Sequence, residues 1–241
     1  MKRFILSDLH IGYPGSQYAV MAHAIDYIRR SARPGDEVLG LGDWWHMNEK
    51  GMAFCLRHPM TQQFRDLASR VPVRIIPGNH DHHLEKYRGA PEQDNPVSPI
   101  RLIAPFEERG LLFCHGHEYD PVSRYAGWLL ALWARLIRKR TPSYLKRNVP
   151  TEEYLLAVYF IYSRATLALR KKSREEGREY KGIVMGHTHL PFFQQTPELP
   201  LLLDDGDMRH NATFVLQDEN RFDLLKWQEG GWRSVFSLEV P

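Results

Sequence analysis

Five short polar clusters in the 241-residue chain have the composition of metal ligands: Asp8-x-His10, Gly42-Asp43, Gly78-Asn79-His80-Asp81, His115-Gly116 and Gly186-His187-x-His189. Carboxylate, amide oxygen and imidazole with no thiolate among them suit Mn, Fe, Zn or Mg better than a soft metal. In extended backbone, residues i and i+2 face one side, so Asp8 with His10, and His187 with His189, are each expected to aim two donors into one crevice. Gly42, Gly78, Gly116 and Gly186 adjoin these donors and allow tight turns where strands end.

Such donors need strands that end together. Short apolar runs at residues 4–6, 38–41, 73–76, 111–114 and 183–185 each precede one of the clusters and read as buried strands. Helical patterns at residues 19–30 and 60–70 lie between the first three, closed by Arg33-Pro34-Gly35 and Val71-Pro72. The β-α-β-α-β order predicts an α/β fold of layered sheets flanked by helices, with chemistry at the carboxyl ends of the strands. Two long helical patterns, residues 125–138 and 152–178, interrupt the rhythm, and five further strand patterns follow at 192–195, 201–203, 213–217, 223–227 and 233–236. One domain over residues 1–241 is expected, carrying an inserted helical cap at about 121–181.

The ordered set D-x-H, G-D, G-N-H-[DE], H-G and G-H-x-H resembles the signature of the calcineurin-like metallophosphoesterase superfamily, and it spans residues 8–189. The resemblance implies that superfamily's fold and a pair of divalent ions. By the same resemblance, Asp8, His10, Asp43 and His189 bind one ion, Asp43, Asn79, His115 and His187 bind the second, and Asp43 bridges them. His80 is then expected to contact the phosphate and to stabilise or protonate the leaving oxygen, with Asp81 orienting its ring in a way that favours the charged imidazole. The implied reaction is attack of a metal-bridging hydroxide on a phosphodiester or pyrophosphate bond. Two aspartates and a hydroxide offset three of the four charges of two divalent ions, so the centre stays positive and attracts phosphate. Ions roughly 3.5–4 Å apart also polarise the phosphoryl oxygens. Manganese is the expected metal, with Fe, Zn and Mg as alternatives.

Hydrophobic residues at 43% and charged residues at 25% describe a folded globular chain and exclude wholesale disorder, collagen-like repeats and a polytopic membrane protein. The net charge of +3 hides an asymmetry: residues 124–181 hold 14 Lys/Arg against 5 Glu, and the rest of the chain is acidic. A basic segment in an acidic protein reads as a site for an anionic partner or as a solvated helix surface. Residues 125–137 are apolar on nearly every face yet too short to span a bilayer, which leaves a buried cap, a partner face or an interfacial membrane helix.

A two-helix insertion between H-G and G-H-x-H resembles the UDP-2,3-diacylglucosamine pyrophosphatase-like branch, and implies a lipid-linked or nucleotide-linked phosphorylated substrate. That branch has G-N-R-D where this chain has Gly78-Asn79-His80-Asp81, and an acidic residue after G-D where this chain has Trp44-Trp45-His46. Candidate substrate contacts are Trp44, His117, Arg124 and Trp128. Core packing is the commoner explanation of Trp44, and His46, His82 and His83 could touch a phosphate but are more often loop or surface residues. Rival readings are a nuclease or cyclic-nucleotide phosphodiesterase, which the apolar cap disfavours, a phosphoprotein phosphatase, and a non-enzymatic metal-stabilised scaffold. Cys55 and Cys114 are too few for a disulfide framework, and the N-terminus has no apolar run long enough for a signal peptide. The expected location is the cytoplasm, with peripheral membrane contact through the cap.

Overall fold

Alternation along each strand sorts the apolar side chains into layers. A computed structural model describes residues 1–121, 152–196 and 199–240. On β1 (Lys2–Leu6), Phe4 and Leu6 enter one core while Ile5, between them, enters another; on β2 (Glu37–Gly40), Val38 and Leu39 divide the same way. The first core lies between a seven-stranded sheet and the helices α1 (Tyr18–Ser31), α2 (Met47–Lys50), α3 (Met52–Arg57) and α4 (Pro59–Ala68). The second lies between the sheets, where Ile5, Leu39 and Val215 meet Phe113, Val184 and Leu203.

The seven-stranded sheet is completed by β3 (Val73–Ile75), β4 (Arg101–Leu102) and, at the far end of the chain, β10 (Thr213–Asp218), β11 (Arg221–Gln228) and β12 (Gly231–Glu239), in the order β12-β11-β10-β1-β2-β3-β4. Strands β1 to β4 run parallel. The second sheet has the order β5-β6-β7-β9-β8, formed by β5 (Phe106–Glu108), β6 (Leu111–Phe113), β7 (Gly182–Met185), β8 (Phe192–Thr196) and β9 (Leu199–Asp204). Its central strands β6, β7 and β9 are parallel. The expected layered α/β fold is therefore present, with the five signature clusters just past the carboxyl ends of parallel strands. The two- and three-residue strands β4 and β5 and the short helices α2 and α3 carry too few residues to show a period, and the sequence patterns miss them.

The helical pattern at 152–178 is the helix α5 (Glu152–Glu176). Its buried stripe, Val158, Ile161, Tyr162, Ala165 and Leu169, follows the three- and four-residue spacing of one helix face. That face packs on Ile183, Met185 and Leu202 of the second sheet. A parallel pair such as β6 and β7 needs a crossover of this kind, so α5 covers the sheet as a structural layer. The pattern at 125–138, with Arg124 and Trp128, falls outside the described residues. Among the described residues no helix is long and apolar enough to cross a membrane.

One buried ion network ties the sheets together. The Arg3 guanidinium, 2% exposed, donates to Glu37 Oε1 at 2.6 Å, Gln217 Oε1 at 3.0 Å and Glu108 Oε2 at 2.8 Å. Arg74 grips the same Glu37 carboxylate at 2.8 and 2.6 Å. Burial opposes ionisation of Glu37, but Arg74 and Arg3 outweigh it and hold the carboxyl below its usual value of 4.5. Glu37→Ala takes its carboxylate partner from Arg74 and one of three acceptors from Arg3, and is expected to destabilise the fold by about 1–3 kcal/mol in urea unfolding. Because the folded pKa is depressed, the contribution of Glu37 is present above its unfolded value and is lost as pH falls through the folded one.

Candidate metal centre

Donors from five loops converge at the carboxyl edge of the two sheets. The β1 and β2 loops are laced by backbone bonds, with the His10 N–H donating to Asp43 O at 2.9 Å and the Asp8 N–H to Gly42 O at 3.1 Å. Convergence does not arise from extended backbone. Asp8, His10, His187 and His189 all lie past their strand ends with left-handed φ values of 53°, 47°, 76° and 59°, as does Asp43 at 53°. The i, i+2 pairs meet because each sits in a tight loop, a conformation that costs about 1–3 kcal/mol per residue and persists only where surroundings enforce it. A side chain at Gly42 would collide with the His115 ring, and one at Gly78 with the Asp43 carboxylate.

The first group is Asp8, His10 and His189. His10 Nε2 and His189 Nε2 face each other at 3.3 Å, and Asp8 Oδ1 lies 3.6 and 3.4 Å from them. The second group is Asp43, His115 and His187, with Asn79 beside it. His115 Nε2 lies 3.4 Å from Asp43 Oδ2 and 3.2 Å from Asn79 Oδ1, while its Nδ1 donates to Leu41 O at 2.5 Å. All seven sequence-predicted donors are thus brought together.

Divalent cations fit this set. Asp8 Oδ1 is buried with no hydrogen-bond partner among the described residues. The outer nitrogens of the facing rings are engaged elsewhere, His10 Nδ1 with His46 Nδ1 at 3.1 Å and His189 Nδ1 with Asp207 Oδ2 at 3.0 Å, which leaves the inner nitrogens as lone-pair donors, the arrangement of metal-binding imidazoles. Burial opposes charge on Asp8 and Asp43, yet His189 beside the first and His115 beside the second hold both carboxyls well below the usual range. Conversely, burial disfavours a charged His189, but Asp8 and Asp207 raise it to about 9. The pocket is built to hold positive charge.

Two expected roles change. Asp81 does not touch the His80 ring: its buried carboxylate accepts from the backbone amides of Gly78 at 2.5 Å, Trp44 at 2.8 Å and Trp45 at 3.3 Å, and so fastens the Asn79 loop to the Asp43 loop. Burial, reinforced by the Asp43 charge, raises it to about 7. Trp44 is no substrate wall. It is fully buried against Phe64, with its indole N–H donating to Leu6 O at 3.1 Å, because the residue after Asp43 turns back into the core. His82 and His83 are exposed. His117 lies beside the centre, its ring 5.3 Å from that of His115. His80 is close as well, its Nε2 4.0 Å from Asp43 Oδ2 and its backbone N–H on Asp43 Oδ1 at 2.7 Å.

The sequence reading missed the acidic run after β9. Asp207 holds His189; Ser7 Oγ bridges two carboxylates, 2.7 Å from Asp205 Oδ1 and 2.6 Å from Asp8 Oδ2. Burial, with its neighbour Asp205, pushes Asp204 well up, and burial does the same for Asp205, so these two acids add little negative charge. Three aspartates within the four residues after Leu201-Leu202-Leu203 are the signal that could have revealed them. Asp207→Asn is expected to weaken divalent-cation binding by about 10–100-fold, read by calorimetric titration with Mn²⁺.

Known proteins give the same picture. The family model described as calcineurin-like phosphoesterase matches residues 1–191. The chain belongs to that family. A calcineurin-like phosphoesterase is thus a metal-dependent phosphoester hydrolase by family, and the two Asp/His groups could hold metal ions. The crystal structure of a dimetal phosphatase from Danio rerio shares the fold, with a TM-score of 0.53 and 12% identity over 100% of this chain and 98% of that one. A conserved uncharacterised protein from Streptococcus pneumoniae TIGR4, described as a predicted phosphoesterase, aligns over 99% of this chain and 95% of that one at 16% identity and a TM-score of 0.43. Among curated proteins there is no match.

Proposed function

We propose that this phosphoesterase cleaves a phosphodiester or pyrophosphate bond at a dinuclear centre, with Asp8, His10, Asp43 and His189 on one divalent cation and Asp43, Asn79, His115 and His187 on the other. The observation that carries the reading is the position of Asp43 between the groups: its Oδ2 lies 3.4 Å from His115 Nε2 and 4.0 Å from His10 Nε2. Cations held there would supply Lewis acidity to the phosphoryl oxygens and acidify a water within reach. The protein's own part is to fix seven donors without adding much negative charge, since Asn79 and the imidazoles are neutral ligands. His80, whose side chain is 30% exposed, is the ring able to reach a phosphoryl oxygen and hydrogen-bond it. His117, at 25%, can contact a second oxygen.

The substrate we infer carries a nucleotide or a lipid. Leu156, Tyr159 and Phe160 of α5 are exposed at 69%, 52% and 53%, an apolar and aromatic surface that suits such a group better than a protein substrate. A nuclease reading draws support from the basic charge of residues 124–181 but not from this surface. Manganese is the metal of choice for the test, a hydrolysis screen across phosphomonoesters, aryl diesters, cyclic nucleotides and nucleoside-diphosphate lipids. Turnover of the last class above the others is expected. No hydrolysis of any class by protein holding two Mn²⁺ per chain sinks the enzymatic reading in favour of a scaffold.

A further inference from the structure

Thr188 stands between two histidines whose backbones are both left-handed, so something must enforce the loop. Its side chain is 2.7 Å from Asp204 Oδ2 and accepts from the Leu190 N–H at 3.2 Å. The Tyr162 hydroxyl lies 2.9 Å from Thr188 Oγ1, 3.1 Å from Leu190 O and 3.3 Å from Asp204 Oδ2. The Tyr154 hydroxyl donates to Thr188 O. Thr188 and Asp204 are almost fully buried, where water cannot replace a lost partner. Both tyrosines belong to α5, which is itself pinned to the sheet by its apolar stripe and by Arg164 Nε donating to Tyr119 O at 3.0 Å.

We propose that Tyr154 and Tyr162 are positioning residues that hold the His187–His189 loop in its cation-binding shape, acting through Thr188 and Asp204. The inference rests on reading His187 and His189 as ligands of different cations. It makes the crossover helix part of the centre, although none of its residues is among the seven donors. Without the two hydroxyls, the Thr188 carbonyl loses its donor, the Thr188–Asp204 pair loses its third member, and the loop is free to relax towards ordinary φ, which turns both imidazoles away. The rings themselves are packing: Tyr162 stacks on Phe192 with centroids 4.5 Å apart, and phenylalanine keeps that contact.

The test uses the full chain stripped of metal, titrated with Mn²⁺ by calorimetry, alongside thermal unfolding of the metal-free protein. Tyr154→Phe with Tyr162→Phe is expected to weaken Mn²⁺ binding by about 10–100-fold at both sites, with hydrolysis regained at saturating Mn²⁺. Thr188→Ser, which keeps the hydroxyl, is expected to bind like wild type, and Thr188→Val to bind as weakly as the tyrosine variants. If the double variant fails to fold, Tyr162→Phe alone and the Ser/Val comparison carry the same contrast. Wild type taking two Mn²⁺ while these variants match its affinity overturns the inference and leaves the centre standing. Wild type taking fewer than two overturns the centre and, with it, this inference.

Discussion

Asp43→Ala is expected to lower hydrolysis of an aryl phosphodiester by roughly a thousandfold or more, on the order of 4 kcal/mol of transition-state stabilisation. Its carboxylate faces both donor groups. Its Oδ2 looks towards His115, His10 and His80 at 3.4, 4.0 and 4.0 Å, and its Oδ1 accepts the His80 backbone N–H. Truncation therefore removes the charge that opposes two cations and also frees the loop bearing Asn79 and His80. Asp43→Asn separates the effects, because an amide oxygen still accepts from His80 while the negative charge is gone. Both variants are expected to lose rate, and bound metal measured by elemental analysis is expected to fall below two per chain. Near-wild-type turnover in either would mean that the reacting centre lies elsewhere.

Much of the site was legible because its ligands follow strands that announce themselves. Runs such as Val38-Leu39 and Ile183-Val184-Met185 are apolar throughout, since a strand sandwiched between layers is buried on both faces, and each delivers its donor one to four residues later. What the sequence hid is how the donors converge. A period of two describes a strand, but Asp8, His10, His187 and His189 sit beyond their strands, in left-handed loops shaped by partners far along the chain. Those partners, Asp204 at the end of β9 and Asp205 and Asp207 just past it, carry no signature motif. Trp44 and Asp81 show the same blindness from the other side. Closeness in sequence to a ligand put them near the chemistry, whereas the chain turns both inward, Trp44 one residue past Asp43 to fill the core and Asp81 two past Asn79 to accept from three backbone amides.

His80→Ala is expected to cost about 10²–10³-fold in kcat with metal content and KM nearly unchanged, the signature of a donor that acts on charge developing in the transition state. The ring is placed by its surroundings: it stacks on His46 at 4.6 Å and meets His10 edge-on at 4.9 Å. Burial holds it below the usual histidine range despite the Asp43 carboxylate, so the neutral imidazole prevails at pH 7. Its Nδ1 is buried with no partner among the described residues. A buried orphan N–H costs more than an orphan lone pair, which assigns the proton to Nε2, the nitrogen that faces Asp43. A neutral Nε2–H donor is a different device from the charged acid that a neighbouring Asp81 would have made. His80→Gln offers an amide N–H at similar reach and is expected to recover part of the loss. Should Gln prove as poor as Ala while the acid dependence of kcat changes, proton donation replaces hydrogen bonding as the role of His80; should bound metal fall, His80 becomes a ligand.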